Sequence, residues 1–491
     1  MTATAAPEST DAQPARPLPA VPGPRSARGP SPTRDRFLDA LRLLVMVLVV
    51  LQHWSLPVLS YSSSSGVLTT GTVISTDGGF ALTWIAQVMP LIFFVGGAAN
   101  LLSHRSAAAK GTSTSEWLAK RLRRLAWPVL PLAAAWMAAS SLLIAAGVPE
   151  QPVRIGAEAA GIVLWFLAVY VLVVVATPVL ARADARFGWY ATAALFAAAA
   201  VVDAVRFGTG IEAVGYLNVA LVWPVVHQLG FRYAAGEIRR LPAAGLAVGG
   251  FATAAALAAV GPYSANMTGV FAIEASNVAP PTLLLAAVGA GQIGLAVLLR
   301  GPITAWASRP GPARVLDWAS PRLMAVYLWH MVPLAAVAAA FVLVLGLPTP
   351  APLTAPWLVW CALGAVVLIP MLWPVLWWMP RFEEPPKALH GDPGMVRVLA
   401  SGALTGGGLL ILTEFGLDAG WVPLTGALAV AAGLLLTRRR TAGGPPNGIG
   451  PSAVPVPVPL RISGISRWAV HVAVALGAGA RRLTAAGGLL R

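Results

Sequence analysis

Apolar and polar positions segregate into long blocks along this chain. Runs of mostly apolar residues, bounded by charge or by Pro/Gly/Ser clusters, fall at about 37–56, 80–102, 125–147, 159–180, 187–204, 214–232, 241–261, 281–299, 319–346, 355–378, 398–414 and 420–437. Each reaches the roughly 17 residues at which a helix begins to span a hydrocarbon layer about 30 Å thick. Blocks of that length inside lipid must satisfy their backbone hydrogen bonds internally, which only a helix does segment by segment. The pattern predicts an all-α fold, a polytopic transmembrane bundle of about ten core spans plus two C-terminal spans. Composition agrees, with 57% apolar and only 11% charged residues, far from a soluble domain.

The charge is one-sided. The segments 34–36, 103–124, 181–186, 232–240, 300–322, 381–397 and 438–440 are basic, whereas 57–79, 148–158, 203–213, 262–280, 347–354 and 415–419 are nearly free of Lys and Arg. Of 34 Lys and Arg residues, only Arg154 and Arg206 fall on the second side. Retention of basic loops in the cytoplasm then predicts a multi-pass protein of the cell membrane with both termini inside. A formal net charge of +15 would suggest nucleic acid in a soluble protein. Here it follows the membrane rule instead, so no nucleic-acid partner is expected and anionic membrane lipid is.

The chain divides into an Ala/Pro/Ser-rich cytoplasmic arm (1–33), a transmembrane domain (34–380), two additional spans (381–440) and a Pro/Gly-rich tail (441–491). The arm has no cleavable apolar segment, so the first span reads as an uncleaved anchor. Residues 463–490 either lie on the inner leaflet or stay disordered. Cys361 is the single cysteine and sits in an apolar run, which excludes a disulfide framework or a thiolate metal site. There is no phosphate-cradling glycine loop, no H-E-x-x-H pair and no G-x-S-x-G elbow, so any catalysis takes place inside the bundle.

Ionisable side chains within spans are costly and therefore functional candidates. The first span places Asp39, Arg42 and His53 on one helix. Arg42 and His53 are 11 residues apart, about 20° apart around the axis and about 16 Å along it. A cation at the mouth and a titratable base near the bilayer midplane suit a reaction channel. The alternative is that Asp39 and Arg42 mark the membrane edge while His53 is a hydrogen-bonded core histidine. In the ninth span, Tyr327 and His330 share a face, with Arg322 at the inner end, so His53 and His330 can meet across the bundle; packing aromatics and a structural histidine are the other reading. Lys120, Arg121, Arg123 and Arg124 supply guanidinium groups suited to phosphates, or a determinant that binds lipid heads. His227 reads as a structural tie.

These motifs have a precedent. The run Arg-x-x-x-Leu-Asp-x-Leu-Arg from Arg34 to Arg42, followed by His53, resembles the opening of the acyltransferase 3 family of membrane O-acyltransferases, and so do M-P-L-I-F-F-V-G-G (89–97), K-R-L-R-R-L-A-W-P (120–128), L-W-F-L (164–167) and Y-L-W-H (327–330), in that order. The resemblance implies transfer of an acyl group, often acetyl, from cytoplasmic acyl-CoA to a hydroxyl of a carbohydrate, glycolipid or small-molecule acceptor, with no metal. It implies a catalytic group of His53, Arg42, His330 and Tyr327, and donor binding by Arg121, Arg124, Lys120 and Arg36. Gly96-Gly97 stands where the family has Ser-Gly, so no serine function carries over. A transporter or flippase of a lipid-linked or amphiphilic substrate is the alternative, since polar groups within spans also serve substrate binding.

Overall fold

The computed structural model describes residue 2 and residues 34–76, 78–268 and 276–439. The rest of the expected arm, and the expected tail at 441–491, lie outside the described residues. The described residues between 34 and 439 belong to one compact unit.

The first helix, α1 (Arg36–Ser55), starts where the Asp35 carboxylate accepts from the Phe37 and Leu38 amides, and it stops ahead of Pro57. A hairpin follows, β1 (Pro57–Ser62) paired antiparallel with β2 (Val67–Thr72). Then come α2 (Phe80–Ala86), α3 (Met89–Ala109), α4 (Thr114–Ala126), α5 (Val129–Ala145), α6 (Glu150–Ile162), α7 (Leu164–Phe187), α8 (Trp189–Thr209), α9 (Val222–Ala234) and α10 (Arg240–Val260). The second half holds α11 (Leu283–Leu298), α12 (Arg300–Ala307), α13 (Pro310–Ala319), α14 (Leu323–Trp329), α15 (Met331–Ala338), α16 (Ala355–Trp378), α17 (Met395–Phe415) and α18 (Trp421–Leu436).

Among the described residues, nine helical stretches are long and apolar enough to cross a membrane, and two more candidates are bent pairs. The bends are 61° between α11 and α12 and 44° between the α13–α14 stretch and the one that begins at Met331. The last helix, α18, has 16 residues and is apolar but shorter. All twelve apolar blocks thus meet helix, and the chain is a multi-pass membrane protein.

The hairpin has no counterpart in the sequence reading. It occupies the Lys/Arg-poor segment 57–79, and both its edges are closed by residues from elsewhere in the chain. The Gln151 amide of α6 accepts from the Leu68 amide at 2.9 Å and donates to its carbonyl at 2.8 Å. On the other edge Thr349 donates its amide to the Leu59 carbonyl at 2.9 Å and accepts from the Leu59 amide at 3.0 Å. An open two-stranded edge is a template for wrong pairing, and these contacts remove it.

The core around the candidate site depends on close helix approach. A Cβ on Gly97 of α3 would sit 2.0 Å from the His227 carbonyl oxygen of α9, and one on Gly230 would sit 2.2 Å from that of Phe94. Only glycine lets these backbones touch. At the charged end of α1, Arg34 and Arg36 pair with Asp317 at 2.7 and 2.6 Å, tying α1 to α13. Arg34 also pairs with Asp39.

Candidate active site

Val45, Met46, Val49, Gln52 and His53 form a stripe along α1 that lines a cavity of about 100 Å³. The opposite wall comes from Val163, Trp165 and Phe166 beside Tyr327, and the floor from residues 86–89, where α2 breaks from α3. The break exposes backbone carbonyls inside the membrane domain, and glutamines cover them. Gln52 donates to Ala86 O at 2.6 Å and Gln292 to Gln87 O at 2.6 Å.

His53 Nδ1 lies 2.7 Å from His330 Nε2. The ring centroids are 4.9 Å apart and the planes are inclined by 15°, so the rings meet edge to edge, nearly in one plane. His330 Nδ1 faces the carbonyl oxygens of Tyr327 at 2.9 Å and Val326 at 3.1 Å. Carbonyls only accept, so in the neutral pair Nδ1 of His330 carries the proton and its Nε2 is a bare acceptor. His53 must then donate from Nδ1, which fixes its tautomer and leaves Nε2 with a free lone pair. Trp54 braces the arrangement by donating from Nε1 to the His330 carbonyl at 2.9 Å. His53 sits in the last turn of α1, which ends at Ser55 just before the hairpin.

The other expected residues divide. Tyr327 lines the cavity through its ring, while its hydroxyl donates to the Val163 carbonyl at 2.6 Å. Arg42 continues the α1 stripe by one turn and faces Asp39 at 3.7 Å. Arg42 and Arg124 are close enough to Arg121 for their charges to interact, and Tyr170 shares that neighbourhood. Tyr170 stacks on Phe166, whose ring meets Tyr327 edge-on, so an aromatic line joins the arginines to the histidine pair. Arg36 is engaged by Asp317, and Lys120 is exposed on α4, one turn before Arg124. Arg123 is buried and donates to the carbonyls of Leu389 at 2.5 Å and Thr437 at 2.9 Å, which anchors the C-terminal helices. His227 is fully buried, its Nε2 accepting from Asn100 at 3.2 Å.

One group near the arginines escaped the sequence reading. Glu383 follows α16, and burial pushes its carboxyl up to about 7 against the pull of the Arg124 guanidinium. Gln52 and Gln87 were overlooked as well; the available signal was an uncharged polar residue inside an apolar block.

The membrane helix bundle thus holds an oriented imidazole pair on a small internal cavity and a guanidinium cluster near its charged end, groups that suit group-transfer chemistry. A family model described as an acyltransferase domain matches residues 35–376. The chain belongs to the acyltransferase 3 family and is a membrane acyltransferase that transfers groups other than aminoacyl groups. No curated protein and no solved structure matches it.

Proposed function

We propose that this enzyme moves a short acyl group, acetyl first, from cytoplasmic acyl-CoA to a hydroxyl of a carbohydrate, glycolipid or small metabolite, with His53 as general base. The observation that carries the reading is the directed hydrogen bond from His53 to His330, which leaves His53 Nε2 as the free base on the cavity wall. His53 Nε2 takes the acceptor's hydroxyl proton as the oxygen attacks the thioester carbonyl carbon. The tetrahedral intermediate then collapses with cleavage of the C–S bond, and His53 returns the proton to the departing sulfur. Throughout, Nδ1–H of His53 stays on His330, which stabilises the transient imidazolium much as a carboxylate does in a triad.

Arg42, Arg121 and Arg124 suit the phosphates of the donor, since guanidinium forks match phosphate oxygens. The cavity favours a short acyl chain. A cavity of about 150 Å³ takes up benzene, so the space beside His53 (about 100 Å³) holds on the order of four heavy atoms, enough for acetyl. Under this reading Tyr327 shapes the wall, with its hydroxyl held elsewhere, and both termini face the cytoplasm by the charge rule.

The test is acyl transfer from radiolabelled acetyl-CoA to a panel of glycosides by protein in nanodiscs. His53→Ala is expected to lower kcat by roughly 10² to 10⁴-fold. His330→Ala is expected to lower kcat by about 10 to 100-fold with the KM for acetyl-CoA unchanged, since it only orients the base. Full activity of correctly folded His53→Ala overturns the proposal; vectorial uptake of a glycoside without label transfer would favour a transporter instead.

A further inference from the structure

A second and larger space lies on the other side of α1. The turn of α1 that points His53 into the small cavity points Leu51, Trp54 and Ser55 into a groove of about 460 Å³. Its far walls are α15, the π-helical turn Ala339–Val344 and α16. The lining is almost wholly apolar, with Ser55 and Thr349 near the hairpin end.

We infer that this groove binds the hydrocarbon chain of a lipid-linked acceptor and holds its hydroxyl-bearing head beside His53. The inference rests on the acyltransferase reading above and adds the class of acceptor. Three features carry it. The groove lies between apolar spans, and α16 is mostly exposed along its outer face, so the surrounding medium is lipid chains. By the benzene yardstick the volume accommodates on the order of 15 to 20 carbon atoms, a single long chain. The groove is also built by irregular helix: the 44° bend at His330 and the π-turn behind it open the wall that a straight helix would close. Trp54 belongs to the groove wall, directly follows the cavity-lining His53 in the chain, and donates to the His330 carbonyl. A chain in the groove carries its head toward the hairpin end of α1, where His53 sits in the last turn.

Gly364 gives a clean test, because a Cβ there meets no atom within 4 Å and points into open space. A hexadecyl glucoside with a diazirine in its chain serves as photoprobe and acceptor, and methyl glucoside as the tail-free acceptor. In wild-type protein in nanodiscs, the photolabel is expected in the α16 peptide and the KM for hexadecyl glucoside is expected about tenfold or more below that for methyl glucoside, the equivalent of about two buried methylenes. Gly364→Phe is expected to abolish the α16 label and bring the KM ratio to about one; Gly364→Leu gives an intermediate ratio. Label spread evenly over α10 and α16, or an unchanged ratio in a folded Gly364→Phe protein, overturns the proposal. If wild type acylates neither glucoside, the acceptor reading fails, and α16 labelling blocked by Gly364→Phe still identifies a chain-binding groove.

Discussion

Single side chains keep an expected contact in one place and make new ones in others. The meeting of His53 and His330 was legible because an ionisable group inside an apolar block needs a partner. The partners of Arg36 and Arg123 were not, since a run of basic residues reads alike whether its members face a carboxylate or a carbonyl. Glu383 offers a test of the cluster. Its carboxyl, ordinarily near 4.5, titrates at about 7 because burial disfavours the charged form. Raised in this way, it contributes stability at low pH that is lost as pH rises through about 7. Under the proposed donor site at Arg124, the carboxylate above that pH also competes with the anionic donor. The KM for acetyl-CoA is therefore expected to rise as pH passes 7, and Glu383→Gln to flatten the rise; steady-state kinetics between pH 6 and 8 checks this.

At the scale of elements, the helices were legible and the hairpin was not. Apolar blocks set where spans begin and end, and the breaks at 87–88 and at His330 each lie just ahead of a proline, Pro90 and Pro333, which removes a backbone donor and disfavours helix before it. The hairpin was hidden because P-V-L-S-Y-S is short and its edges close through Gln151 and Thr349, far away in sequence. The α3–α9 crossing makes a sharp contrast between glycines. Gly97→Ala and Gly230→Ala force a methyl group into a facing backbone carbonyl and are expected to cost about 1–3 kcal/mol or more. Gly245→Ala and Gly249→Ala on α10 meet open space and are expected to leave thermal stability unchanged or slightly higher. Melting curves in one detergent compare all four directly.

For the whole molecule, the family match ends at residue 376, yet α17 packs along α6 and α7 within the same unit. A Cβ on Gly161 of α6 would sit 2.4 Å from the Leu412 carbonyl of α17, so the C-terminal pair is fitted to the core. Arg123 fastens that pair through the Leu389 and Thr437 carbonyls. Arg123→Ala strands those oxygens and is expected to cost about 3 kcal/mol or more, seen as a lower melting temperature and loss of monodisperse protein. The imidazole pair has one more consequence at this scale. Two histidines in line inside a membrane make the beginning of a proton wire, which could drain the gradient the cell maintains. Here the wire stops at the carbonyls of Val326 and Tyr327, which take up no proton, so His53 exchanges protons only with its own cavity. Vesicles carrying the enzyme are expected to hold an imposed pH difference as long as empty ones, as a trapped fluorescent indicator would report.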